Sequence, residues 1–185
     1  MIRASLVAVM LAGPVAAADG LPFDVGGAFS LQDQHGVQRT QADPDGNPQL
    51  LFFGYANCPG ICATAMPMIA DAVDEMAERG VTVQPIMITV DPERDQVGNM
   101  DGPLLDVHAN FIGLTGTEDE LAVAYKAYRV EKELAFVDPE FGAVYSHGSF
   151  VYLLDGEGEV LTLFPPILDG DHVANLIDKY VGTGS

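Results

Sequence analysis

Both cysteines of this 185-residue chain lie in one stretch, LLFFGYANCPGICATAMPM (50–68), as Cys58 and Cys62. Thiols this close have three uses: a stapling disulfide, a dithiol–disulfide couple, or two ligands for a metal ion. The staple closes a loop of about five residues, which loop entropy puts at about 2 kcal/mol, a small gain for a chain long enough to bury its own core. The other two uses need thiolate, the form that attacks disulfides and binds metals. An apolar strand before the pair and a helical pattern after it place the thiols at the mouth of a helix. There, free backbone N–H groups and the positive end of the macrodipole favour thiolate. Residues four apart on a helix share a face, with about 5–6 Å between Cβ atoms, which leaves room for an ion between two sulfurs.

Two thiolates rarely complete a site, so the histidines are the next candidates. His35 falls in a hairpin turn, His108 beside a short strand and His172 at the start of the last helix, all positions that suit surface or capping roles. His147, in YSHGSFVYLL, directly precedes an apolar strand, which places it in a loop at a sheet edge. Two thiolates plus one imidazole suit copper, since sulfur stabilises Cu(I) and the imidazole helps hold Cu(II). Zinc is chemically possible but usually takes a fourth ligand. Met66 and Met68 carry thioether sulfur, although Met66 falls on the apolar side of the helical pattern, where core packing is the simpler role. Asp91, Glu93, Arg94 and Asp95 read as a charged turn built for an ion pair or a cap.

The elements that must position these residues follow from periodicity. FSLQDQHGVQRT (29–40) reads as a hairpin, ADPDGNPQ (42–49) as a loop and QLLFFGYA (49–56) as a buried central strand. Met66, Ile69, Ala70, Val73, Met76 and Ala77 recur at helical spacing up to Gly80, with Pro67 expected to kink the helix or mark a restart. VTVQPIMITV (81–90) is the next strand, its early pairing limited by Pro85. Residues 95–108 are ambiguous, a helix broken at Gly98 and at Gly102-Pro103. FIGLTG (111–116) is a short strand. Thr117 and Glu120 form a capping box for a helix reaching about Arg129. SFVYLLDGEGEVLTLF (149–164) is a hairpin and DHVANLIDKYV (171–181) a closing helix. The sum is an α/β fold with a mixed central sheet flanked by helices, and a Cys pair opening a helix after the first central strand suggests a thioredoxin-like fold.

The formal net charge is −19, from 27 acidic against 8 basic residues. That balance excludes nucleic acid and anionic lipid as partners, since both need clustered Lys and Arg. Residues 1–18 have the layout of a secretory signal peptide: Arg3, an apolar run to Ala12, and an A-x-A cut after Ala18. The run is too short to be an ordinary spanning helix, and an uncleaved membrane tether is the alternative. Residues 19–28 read as a flexible arm and 29–185 as one domain, working in an oxidising compartment, the periplasm.

With FGYANCPGIC, VQPIMITVDPERD, FIGLTGT, AYKAYRV and SHGSFVYLLDGEGEV in this order, the chain resembles the Sco/SenC family from about Phe29 to Val181. The resemblance implies a copper-binding thioredoxin-fold protein that assists assembly of cytochrome c oxidase. It also implies a mononuclear copper site made by Cys58, Cys62 and His147. The expected function is a metallochaperone that delivers copper to the binuclear copper centre of an oxidase subunit, or to another copper enzyme, after a periplasmic thiol reductant has opened the disulfide. The alternative is a periplasmic thiol–disulfide oxidoreductase in which Cys58 attacks and Cys62 resolves; three residues between the cysteines, and a histidine that exchange does not need, speak against it. The chain departs from the family at Gly60, where Asp is common between the cysteines, at Ala63, where Pro is common, and at Ser146 and Gly148, where the family has Asp and Ser around the histidine.

Overall fold

The computed structural model describes residues 21–56, 58 and 60–182. In chain order the elements are β1 (Ser30–Asp33), β2 (Gln38–Thr40), β3 (Gln49–Gly54), α1 (Cys62–Glu78), β4 (Gln84–Thr89), α2 (Asp101–Leu105), β5 (Ile112–Thr115), α3 (Glu118–Ala127), β6 (Lys132–Asp138), β7 (Gly142–His147), β8 (Val151–Leu154), β9 (Val160–Phe164) and α4 (Gly170–Val181). Among the described residues one seven-stranded sheet runs in the order β2-β1-β5-β4-β3-β8-β9, and β6 and β7 pair separately with each other. The sheet is mixed: β3, β4 and β5 are parallel, whereas β1 and β8 run antiparallel to their neighbours.

Strand β3 shows why the apolar run QLLFFG belongs in the middle. Alternate residues of a strand point to opposite faces. Leu50 and Phe52 join the core under α1 and α4, while Leu51 and Phe53 join the core under α3. All six β3 residues are buried, so after Gln49 the strand is apolar without alternation. Its C-terminal end opens directly into the cysteine turn.

The chain runs through Pro67 within the single helix α1. Proline six residues into a helix removes the hydrogen bond to the carbonyl four residues back and crowds that carbonyl, but the preceding turn is already formed by Thr64 N–H donating to the Ile61 carbonyl at 3.0 Å and Ala65 N–H to the same carbonyl at 2.9 Å. Pro85 is paired with β3, opposite Leu50, and the β4–β5 ladder starts one residue later at Ile86 and Ile112. Gly102-Pro103 sit in the first turn of the short helix α2, where proline is tolerated, rather than breaking a longer one. The Thr117–Glu120 capping box forms as expected, but α3 ends at Ala127, and Arg129 turns the chain with φ +55°.

The β6–β7 hairpin is the element the periodicity did not show. Its first strand, KELAFVD, is exposed over most of its length, so it lacks the buried-face alternation that marks a strand in sequence. His147 therefore ends β7, paired with Lys132, rather than lying in a loop. Residues 21–28, expected as a loose arm, form no helix or strand yet lie against the domain: Gly26 N–H donates to the Ala127 carbonyl at 2.9 Å and Arg129 Nε to the Asp24 carbonyl at 2.7 Å. The signal-peptide reading of residues 1–18 lies outside the described residues.

Candidate metal centre

Only one of the two cysteines is helical. Cys62 is the first residue of α1 and is buried, whereas Cys58 lies in the turn before it and is half-buried. The turn is closed by Cys58 N–H donating to the Tyr55 carbonyl at 3.2 Å. Gly54 makes room for the second sulfur, because a Cβ there would stand 3.0 Å from Cys62 Sγ and 2.7 Å from Phe52 Cε1. Cys58 sulfur, Cys62 sulfur and a His147 ring nitrogen all lie within 4.8 Å of one another, the one such cluster of three ligand atoms among the described residues.

The His147 ring is held edge-on against Phe52, at 6.1 Å between centroids, and Tyr55, at 6.2 Å. Its Nδ1 stands 2.9 Å from the Gly148 carbonyl oxygen. A carbonyl only accepts, so Nδ1 donates to it, and Nε2 is the ring nitrogen left for a metal. The backbone thus does here what a carboxylate often does for a metal-binding histidine.

The two thiols differ electrostatically. Cys58 is lowered to about 4, first by the hydrogen bond from the Cys62 thiol, against the cost of burial, and then by His147 and the N–H groups of Cys62 and Gly60. Cys62 is raised, first by donating to Cys58 and then by its own burial. At neutral pH the pair shares one proton, kept on the inner sulfur. Beside them, burial and the Cys58 charge raise the Tyr55 phenol to about 12. Its hydroxyl is buried without a hydrogen-bond partner of regular geometry.

The charged turn after β4 is more than an ion pair. Asp95 is buried, and one of its carboxylate oxygens accepts from Ala56 N–H at 3.0 Å and from the Thr89 hydroxyl at 2.7 Å, fastening the cysteine turn to β4. The Thr115 hydroxyl donates to the Asp95 carbonyl at 2.6 Å, adding β5. Arg94 pairs with the buried Asp91 and donates to the Phe141 and Ala143 carbonyls at the tip of the β6–β7 hairpin. The five-residue run DPERD signals a turn in sequence, and nothing in it reveals which distant backbone atoms it will bind.

The other histidines stay apart from the site. The His35 amide donates to Asp33 in the β1–β2 turn, His108 Nε2 stands 3.2 Å from Asp74, and the His172 amide donates to the helix-capping Asp169. Met66 and Met68 are buried in the same core cluster as Cys62. A cavity of about 430 Å³ opens along the outer side of His147, lined by Arg129, Glu131, Glu133, Ser146 and Ser149 among others. It is an exposed approach to His147.

The family model described as SCO1/SenC matches residues 17–182. The bovine (Bos taurus) Protein SCO2 homolog, mitochondrial, is 38% identical over 157 residues, which is 84% of this chain and 59% of the bovine one. The structure of ScoI from Arabidopsis thaliana with copper bound is similar with a TM-score of 0.79 at 30% identity, covering 85% of this chain and 98% of that one. That of yeast Sco1 with copper bound has a TM-score of 0.77 at 31% identity, covering 88% and 91%. The chain spans between 46% and 62% of the length of mitochondrial relatives it matches. The shared fold is the thioredoxin-like α/β sandwich.

Proposed function

The chain belongs to the SCO1/SenC family, and from that membership we propose that it is a metallochaperone with copper as its cargo, bound by Cys58, Cys62 and His147. The observation that carries this reading is the placing of two sulfurs and one imidazole within 4.8 Å of one another. Bonds of ~2.0–2.3 Å to a borderline-soft ion set three trigonal ligands roughly 3.5–4 Å apart, so a contraction of no more than about 1 Å seats the ion. The donor set is the soft sulfur pair that selects Cu(I), with a nitrogen that extends the site to Cu(II).

Loading needs the reduced pair. Cys58 arrives as thiolate and Cys62 gives up its proton to solvent as its sulfur bonds the ion, so Cu(I) replaces one proton. A disulfide blocks loading until a thiol reductant supplies two electrons and two protons to the S–S bond. Release runs from the outside inward. Cys58 and His147 are half-buried, His147 along the outer cavity, whereas Cys62 is buried and lets go last. The acceptor we infer is the binuclear copper centre of cytochrome c oxidase, as the family resemblance suggests. The layout of residues 1–18 supports export to the periplasm, with 29–185 as the working domain; among the described residues no helix is long and apolar enough to cross a membrane.

Copper titration of the reduced protein tests this. His147→Ala is expected to keep a dithiol that oxidises and reduces normally but to lose most Cu(II) affinity. Cys58→Ser and Cys62→Ser are each expected to abolish tight Cu(I) binding. Retained stoichiometric Cu(I) in either would transfer the ligand role elsewhere. The thiol–disulfide oxidoreductase reading is favoured by one observation, the low-pKa half-buried thiol beside a buried partner. Rapid exchange with a dithiol substrate in His147→Ala, together with no copper bound by the parent, would decide for it.

A further inference from the structure

The hairpin that carries His147 has little to hold it. Strands β6 and β7 pair only with each other, and β6 is exposed along most of its length. A two-stranded hairpin by itself is marginally stable in water. Its base is steadied by Lys132, 3.5 Å from Glu118 and 4.9 Å above the Tyr145 ring. Its middle rests Tyr145 edge-on against Tyr55 at 6.0 Å. Its tip is gripped by Arg94, whose Nη1 and Nη2 donate to the Phe141 and Ala143 carbonyls while Nε pairs with the buried Asp91. The same guanidinium lies 5.5 Å over Tyr55, the ring that packs on His147. Gly142 is shaped for this grip: its φ is +74°, and a Cβ there would stand 3.2 Å from Arg94 Nη1.

We infer that Arg94 is the positioning residue that holds the His147 imidazole over the two sulfurs, and so sets how strongly the site takes Cu(II) relative to Cu(I). The inference rests on the copper reading above. Its logic is geometric. The two sulfurs sit in the turn after β3 and at the start of α1 and stay in place without Arg94, so a two-sulfur Cu(I) site survives. The imidazole sits on the hairpin and drifts once the tip is free. A planar guanidinium reaches two carbonyls and a carboxylate at once; an ammonium offers one point charge.

The test compares the parent with Arg94→Lys, which keeps the charge opposite Asp91, and with Arg94→Gln/Asp91→Asn, which removes both charges together and leaves no unpaired buried carboxylate. Thermal melting of the reduced apo proteins confirms folding. Both variants are expected to bind Cu(II) about 10–100-fold more weakly, the scale for lost support of a ligand, with a diminished sulfur-to-Cu(II) charge-transfer band and Cu(I) affinity within about threefold of the parent. In the apo state, amide exchange at 143–147 is expected to accelerate by roughly tenfold or more as the hairpin opens locally. Unchanged Cu(II) affinity and unchanged exchange in both variants would overturn the inference, as would equal losses of Cu(I) and Cu(II). If the parent binds no Cu(II) through His147, the copper reading fails and this inference with it; if the parent does and the Arg94 variants match it, only this inference fails.

Discussion

Asp95 offers the sharpest stability test of how the site is held. Its carboxylate accepts from Ala56 N–H and from the Thr89 hydroxyl, both on one oxygen. Hydrogen bonds to a charged acceptor contribute ~1.5–3 kcal/mol each, and a buried donor left bare costs a similar amount. Asp95→Ala strands two donors, a gross loss of about 3–6 kcal/mol, offset in part because the buried charge is also removed. A net cost of about 3 kcal/mol is expected. In urea, with a slope of ~2 kcal/mol/M for a domain of this size, the midpoint falls by roughly 1.5 M. Asp95→Asn keeps an oxygen for both donors and is expected to cost under ~1 kcal/mol at neutral pH. The pH dependence separates charge from shape. Burial raises the Asp95 carboxyl above its usual 3.8. The native state therefore prefers it protonated, and the parent loses stability as pH rises from 3.8 through the native value. The stability of Asp95→Asn relative to the parent should accordingly increase over that rise and then level. An Ala variant costing under ~1 kcal/mol, or an Asn variant that loses ground as pH rises, would refute the reasoning.

Three further outcomes follow from the site. Iodoacetamide should modify Cys58 alone in the reduced protein, at a rate nearly flat between pH 8 and 5 and falling only as the pH nears 4, since the Cys58 thiol is lowered to about 4 and Cys62 is buried; a tenfold loss per pH unit over that range would mean an ordinary thiol. Calorimetry of Cu(I) loading at pH 7, in buffers of different ionisation heat, should show about one proton released per ion rather than two, because Cys58 is already thiolate and Cys62 still protonated. Gly54→Ala should cost about 1–3 kcal/mol by overpacking and weaken Cu(I) binding, because the added carbon would stand 2.7 Å from Phe52 and 3.0 Å from Cys62 Sγ; unchanged copper affinity would show that the inner sulfur has room to move.

Much of this protein is local, and what is local was legible in its residues. The unbroken apolar run of β3, the helical spacing after Cys62, the Thr117–Glu120 box and the 149–164 hairpin all express nearest-neighbour physics, a period or a cap. The candidate ligands were nameable for the same reason, since few residue types bind a soft ion and the chain holds two cysteines and 4 histidines. What the tertiary structure alone decided is non-local. It made a hairpin of 132–147, whose strands have no buried face to imprint a period. It chose the Gly148 carbonyl to orient the imidazole. It turned DPERD from a charged turn into the joint between cysteine turn, sheet and hairpin. Hydrogen bonds between residues some 20 to 50 positions apart leave no spacing to read; they exist only once the sheet has brought the backbones together.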